Sequence, residues 1–281
     1  MSFLDRIAEC NAHDLSRFRP FIVAATRVGW VRHALADRLA RFGDVLDVTL
    51  EAVTLDRALD DFAARSAAID RIVRALADDG IVTGVREEAY PVKTGFTHPP
   101  LLTMERAAIP HFGVRAYGVH MNGYLRRRDG LHMWVARRAF DKPTYPGMLD
   151  NMVAGGQPIS LGLLENLVKE CEEEAGIPPA LARQAIAVGA ITYCMEAEDG
   201  LKPDVQFCYD LELPDGFTPV NRDGEIAEFH LWPIDRVARV VRDTREFKFN
   251  CNLAIIDFLV RHGLIAPDDP DYLDIVQGLR R

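Results

Sequence analysis

An α+β chain of two domains is what this 281-residue sequence predicts. Three observations carry that expectation. The first part interleaves strand-like and helical stretches. A Pro-containing stretch, FTHPPLLTMERAAIPHFG (96–113), then reads as a connection between folding units. Beyond it, longer strand-like runs dominate, with one acidic helix among them and an apolar helix near the end. Residues 1–112 are therefore expected to form an N-terminal α+β domain, and residues 113–281 a second domain that includes a C-terminal helix.

Taken in order, RPFIVAATRV (19–28) reads as a strand or turn, and WVRHALADRLARF (30–42) has the helical spacing of Val31, Leu35, Leu39 and Phe42. VLDVTLEAV (45–53) alternates like a strand. ALDDFAARSAAIDRIVRALADDG (58–80) is an amphipathic helix, with Asp56 placed to cap its start and Gly80 at its C-terminus. VRAYGVHMNGYLRR (114–127) and LHMWVARRA (131–139) form a hairpin around Arg128, Asp129 and Gly130. AIAVGAITYCMEA (185–197) and VQFCYDLELP (205–214) are further strands, joined through EDGLKP. FNCNLAIIDFLVRHG (249–263) is a helix that stops at Gly263, ahead of Pro267.

Composition narrows the function. The net charge is −9, from 33 basic and 42 acidic residues. That argues against a general nucleic-acid binder, which carries a basic excess, but leaves room for a local basic pocket. The five cysteines, Cys10, Cys171, Cys194, Cys208 and Cys251, are scattered and contain no Cys-x-x-Cys. A zinc site or disulfide framework is not expected, and a reducing compartment is. MSFLDRIAEC does not read as a signal peptide, and no apolar run reaches membrane-spanning length. The expectation is a soluble cytoplasmic protein without a membrane partner.

The segment KECEEEAGI (169–177) concentrates the chemistry. At about 100° per residue, Glu170, Glu173 and Glu174 share one sector of a helix. They flank an apolar stripe of Leu164, Leu167, Val168, Cys171 and Ala175, while Glu165, Lys169 and Glu172 face outward. Glu165 and Lys169 have the favourable i, i+4 order for an ion pair. Three clustered carboxylates at the negative end of a helix repel one another unless a cation joins them. Mg²⁺ or Mn²⁺ suits such an all-oxygen set; a solvated acidic face is the plainer alternative. Before the helix lies PGMLDNMVAGGQP (146–158), where Gly155 and Gly156 read as a loop that brings backbone N–H groups to phosphate oxygens.

From Gly155 to Ile177 the sequence resembles the Nudix box, Gly-x5-Glu-x7-Arg-Glu-(apolar)-x-Glu-Glu-x-Gly-(apolar). Gly155, Glu170, Cys171, Glu173, Glu174, Gly176 and Ile177 match; Leu161 and Lys169 stand where the box has Glu and Arg. In the family those two usually form an ion pair that supports the loop. YGVHMNGY, KPTYPGMLDNMVAGG, DGEIAEF, FKFNCNLAIIDFLVRHG and DYLDI extend the likeness to one Nudix subfamily. Its members have an extra N-terminal domain, and in some fungi the unit is fused to a thiamine pyrophosphokinase.

The resemblance implies a Nudix αβα sandwich and hydrolysis of a small diphosphate, such as thiamine diphosphate or its damaged analogues, to the monophosphate. It implies Glu170, Glu173 and Glu174 as metal ligands, with Glu173 also catalytic. A later-loop carboxylate is expected as a further ligand or base, Glu225 first and Glu228 second. Arg137, Arg138 and Lys142 are candidates for holding the diphosphate, with Gly155 and Gly156. Tyr193, Tyr209, Phe217 and Trp232 could stack on a flat ring or pack the core; His120, His132 and Cys171 read as packing or hydrogen-bonded residues. A nucleotide-sugar or dinucleotide pyrophosphatase, and a Nudix-like sensor without turnover, stay open as alternatives. A homodimer is possible.

Overall fold

The computed structural model describes residues 2–281. Helix α1 (Phe3–Glu9) is closed by a reciprocal Ser2–Asp5 capping box. It is followed by strands β1 (Phe18–Val23) and β2 (Thr26–Arg32), helix α2 (His33–Leu39), and strands β3 (Leu46–Val48) and β4 (Val53–Leu55). These strands form a sheet in the order β2-β1-β4-β3. Helix α3 (Phe62–Asp78) buries Ile69, Ile72, Val73 and Leu76 in the same core, alongside the hairpin of β5 (Ala89–Val92) and β6 (Leu102–Glu105).

The second body is a seven-stranded sheet. Its strands are β7 (Tyr117–Arg127), β8 (Gly130–Arg138), β9 (Leu149–Asp150), β10 (Val153–Gly156), β11 (Ile186–Thr192), β14 (Val205–Glu212) and β15 (Ile226–Pro233). The main path runs β11-β14-β7-β8-β15, with β10 on β7 and β9 on β8. A separate ribbon joins β12 (Met195–Ala197) to β13 (Gly200–Lys202). Helices α4 (Leu163–Ala175) and α5 (Pro179–Ala182) share a core with Val119, Met121 and Tyr209. Helices α6 (Ile234–Asp243), α7 (Phe249–Arg261) and α8 (Tyr272–Gly278) share another with Tyr124, Met133 and Val135. The sheet thus lies between two helical layers, which is why β7 is buried along most of its length. Ile7 of α1 belongs to the α7 core, so the first helix docks on the second body.

Several expectations need correction. Residues 30–32 are strand, because Ala24 and Ala25 take left-handed backbone and turn Trp30–Arg32 back onto β1; the helix starts at His33. Residues 45–53 are not one strand. The Thr49 hydroxyl accepts from the Glu51 and Ala52 N–H groups and reverses the chain between β3 and β4. Asp61, not Asp56, caps the long helix, accepting from Ala64 N–H at 2.7 Å; Asp56 closes a turn to Ala58. Residues 185–197 split between β11 and β12, since the Tyr193 N–H bonds Asp204 O and leaves the large sheet. The Pro-containing stretch is not a bare connection: Leu102, Met104, Ile109 and Phe112 are core residues of the first body.

Candidate metal and phosphate site

Helix α4 carries the acids, and both of its ends are tied to the surrounding chain. Gly162 caps its start, with the Gly162 N–H held by Glu165 at 3.1 Å. Gly176, at φ +63°, ends it; a side chain there would meet the Val220 carbonyl at 2.9 Å. The Arg222 N–H bonds Glu173 O and the Val220 N–H bonds Ala175 O, so the segment leading to Glu225 is hooked onto the acidic end of the helix.

The buried stripe of α4 is Leu167, Val168, Cys171 and Ala175; Leu164, assigned to it above, is 39% exposed. Cys171 is a core thiol, pushed up by burial. Glu174 is also buried and accepts from the Ala154 N–H at 2.8 Å. Burial first, then the charge of Glu170, holds its carboxyl well above the usual range, against that hydrogen bond. Glu170 is raised too, chiefly by burial, with Lys169 opposing and Glu173 and Glu225 adding repulsion. Glu173 is half-exposed. Lys169 reaches it at 2.5 Å and Glu170 at 3.5 Å. The expected Glu165–Lys169 pair is therefore absent, because the Glu165 carboxylate is spent on the helix cap; nor are the acids without a basic neighbour.

Gly155 and Gly156 are not a loop but the end of β10, paired with Val119 and Gly118 of β7. Their lack of a side chain has two separate reasons. A Cβ on Gly155 would lie 2.3 Å from Glu170 Cδ, and one on Gly156 would lie 1.5 Å from the Tyr90 hydroxyl. The loop proper follows at 157–162. Gln157 Nε2 donates to Leu161 O at 2.6 Å, and Asn166 Nδ2 donates to Gly156 O at 2.8 Å and Gln157 Oε1 at 3.2 Å. This amide network stands where a Glu–Arg pair was missing from the sequence.

Glu225 is ion-paired to Lys142, with Arg86 4.0 Å away. Burial works to raise its carboxyl, yet Lys142, Arg86 and Arg106 bring it below the usual range. Glu228 instead pairs with Arg137 at 2.8 Å, and Arg137 also holds Gly147 O. Arg138 is fully engaged by Asp150, Thr144 O and Tyr145 O. Of the three basic candidates, Lys142 meets Glu225 and Arg137 meets Glu228, while the base beside Glu170 and Glu173 is Lys169. Tyr193, Tyr209 and Trp232 are buried in the core clusters, and Phe217 packs against one. Arg86, Tyr90 and Arg106 had no sequence signal, being far from the acids along the chain; Gln157 and Asn166 were readable only as polar residues at unspecified positions of the box.

One further group, His120, Asp150 and Cys251, has ligand atoms within 4.8 Å of one another. It does not fit a divalent ion. His120 Nδ1 faces Asn151 and Nε2 faces Gln206, both at hydrogen-bond distance. Asp150 faces Arg138 at 2.9 Å and Lys248 at 3.9 Å. Two cations already answer that carboxylate, and burial keeps the His120 pKa down at about 4, so it serves as a neutral hydrogen-bonding link. Glu170 and Glu174 are the better match for a hard cation, being oxygen donors that repel each other against β10, whereas the Glu173 carboxylate is turned to Lys169.

Nudix hydrolase 20, chloroplastic, from Arabidopsis thaliana is 45% identical over 289 residues, covering 99% of this chain and 77% of that protein. The chain belongs to the Nudix hydrolase family. It is an enzyme of Nudix hydrolase type, with the family's mixed helix and sheet architecture. A second Arabidopsis relative, Nudix hydrolase 24, chloroplastic, is 45% identical over 282 residues, with the same coverages. Uncharacterized protein YJR142W of Saccharomyces cerevisiae is 34% identical over 240 residues, covering 79% of this chain and 69% of its own. Residues 2–116 match a family described as a domain of unknown function (DUF4743). Among solved structures, the NUDIX domain of Shewanella oneidensis NrtR, complexed with ADP ribose, aligns at a TM-score of 0.43 and 12% identity, covering 54% of this chain and 90% of that one. In this Nudix hydrolase no helix of the described residues is long and apolar enough to cross a membrane.

Proposed function

We propose that this Nudix hydrolase opens the phosphoanhydride bond of a small diphosphate, releasing the monophosphate, with Mg²⁺ or Mn²⁺ held by Glu170, Glu173 and Glu174. The observation that carries this is the placement of Glu170 and Glu174 along β10, with Glu225 close enough to add to the repulsion on both. A bound cation turns that repulsion into attraction, cancels phosphate charge and acidifies water. Glu225, kept ionised by Lys142, takes the proton of the attacking water as its oxygen joins phosphorus and the bridging P–O bond breaks. Glu173 completes the ligand set once Lys169 releases it. Lys142, ion-paired to Glu225, is the cation that meets the incoming phosphate, and bare Gly155 leaves Glu170 its place against β10. Arg137 and Arg138 act at one remove, by holding residues 144–147.

Thiamine diphosphate and its damaged analogues are the proposed substrate class, supported by the subfamily motifs in YGVHMNGY, DGEIAEF and DYLDI. The same proposal takes residues 1–112 and 113–281 as two units, supported by the separate core that runs from Phe21 to Val114, with helix α1 of the first unit packed on the core of the second. It places the enzyme in a reducing compartment such as the cytoplasm, supported by five free cysteines. It allows a homodimer, supported by the terminal strand β11, where Ile186 is 65% exposed. The test is a panel of diphosphates with Mg²⁺ present: thiamine diphosphate, an oxidised analogue, a nucleotide sugar and a dinucleotide. Mg²⁺-dependent monophosphate release from the first two, lost in Glu173→Gln, supports the proposal. Preference for the nucleotide compounds overturns the substrate class, and binding without turnover overturns the hydrolysis.

A further inference from the structure

Tyr90 lies on β5 in the first body, remote in sequence from the acidic helix. Its residue is 4% exposed, yet its hydroxyl has no hydrogen-bond partner among the described residues. The hydroxyl rests on Gly156, and the neighbouring Gly155 receives Glu170 in the same manner. Successive residues of a strand face opposite sides, so Tyr90 and Glu170 bracket β10. Along that strand, the Ala154 N–H already holds Glu174. A long contact from the Ile159 N–H to Ala89 O, 3.5 Å, links β5 to the loop before α4. Cations come from the same hairpin region. Arg106, ion-paired to Glu88 at 2.8 Å, has its Cζ 5.9 Å from the Tyr90 ring centre, and Arg86 is 4.0 Å from Glu225. A core position with no use for the oxygen is better filled by Phe, since an unpaired buried hydroxyl is destabilising.

We propose that Tyr90 is a substrate-binding residue, its O–H donating to a phosphate oxygen of the bound diphosphate, with Arg106 adding positive charge behind it. The first body then forms one wall of the hydrolase site. The proposal rests on the diphosphate reading of the acidic site, and its test separates the two. Wild type, Tyr90→Phe and Arg106→Gln are compared in steady-state kinetics on the best substrate of the panel. Calorimetric binding of imidodiphosphate with Mg²⁺, and thermal melting, are measured on the same proteins. Tyr90→Phe is expected to raise KM and the imidodiphosphate Kd by ~10-fold or more, the scale of one hydrogen bond to a charged group. Its kcat should stay within a few-fold and its Tm should be equal or higher; Arg106→Gln should weaken binding in the same direction. Wild-type KM and Kd in Tyr90→Phe overturn the assignment, whatever its Tm. Should wild type turn over no diphosphate but bind imidodiphosphate, and Tyr90→Phe weaken that binding, Tyr90 keeps its role and the hydrolase reading falls.

Discussion

Substituting Gly155 by Ala isolates the geometry on which the catalytic proposal depends. Gly155 does not lie in the left-handed region, so Ala fits the backbone there. The whole effect comes from the added carbon. It would lie 2.3 Å from Glu170 Cδ, 2.5 Å from Cγ and 2.6 Å from Oε1. Carbon atoms rest about 3.5–4.0 Å apart, so the Glu170 carboxylate must retreat by about 1 Å or more. A misplacement of that size in a reacting constellation costs on the order of 100-fold in rate, or about 2.7 kcal/mol of transition-state stabilisation. The fold should survive, because the three nearest atoms all belong to the flexible Glu170 side chain rather than to backbone. The assay is kcat/KM on the best diphosphate across a Mg²⁺ titration, alongside Gly216→Ala, where an added carbon meets nothing within 4 Å. Gly155→Ala is expected to lose about two orders of magnitude and to need more Mg²⁺, with Gly216→Ala unchanged. A Gly155→Ala protein with wild-type turnover and Mg²⁺ dependence would show that Glu170 is not a ligand.

Three other outcomes follow from the same contacts. Glu173→Gln should lose most turnover while its Tm hardly moves, because the exposed pair it gives up with Lys169 contributes only about 0–1 kcal/mol; parallel loss of Tm and activity would contradict this. Arg138→Ala should be destabilised by roughly 3–5 kcal/mol in urea unfolding, since it strips the buried Asp150 of its 2.9 Å partner. A loss under about 1 kcal/mol there would contradict the role of that pair. Asp204, whose pKa burial raises from 3.8 to about 6, holds its proton in the folded chain after the unfolded chain has released it. Its contribution to stability is therefore fully present below about pH 4, falls as pH rises to about 6, and is flat above. In urea titrations the advantage of Asp204→Asn over wild type should grow by roughly 2–3 kcal/mol across that window; a pH-independent difference would refute it.

The acidic helix was legible because its information is local: its apolar spacing and Gly176 mark its face and its end, while the turning of Glu173 to Lys169, away from buried Glu174, was not. The Gly155–Gly156 pair was legible as special but not for the right reason. Its cause is two side chains, Glu170 and Tyr90, that arrive from distant parts of the chain. The same limit explains the misread elements of the first body. Trp30–Arg32 has helical spacing, but pairing with Phe18–Pro20 decides its state, and pairing is a non-local choice. Leu164 was placed on the buried stripe by angle alone, whereas the body packed against α4 covers Leu167, Val168 and Cys171 and leaves Leu164 uncovered. Charges behaved likewise. Arg137 and Arg138 lie at the right place in sequence for a phosphate, yet Glu228 and Asp150 claim them from other strands.

The two departures from the box pattern, Leu161 and Lys169, receive a common physical explanation. A Glu–Arg pair would fix the loop before α4 by a charge-assisted contact. Here neutral amides do that work: Gln157 grips the Leu161 carbonyl and Asn166 grips Gly156. Gln157 is 4% exposed and Asn166 0%, so the contacts are shielded from competing water. Removing the ion pair also frees Lys169 to reach Glu173 and Glu170 across one turn of helix. The acids are thus partly neutralised by a half-exposed lysine of their own helix. Loop rigidity and charge compensation, joined in the usual pattern, are divided here between an amide pair and Lys169. That division lets the acids pack together in the folded chain with their repulsion reduced.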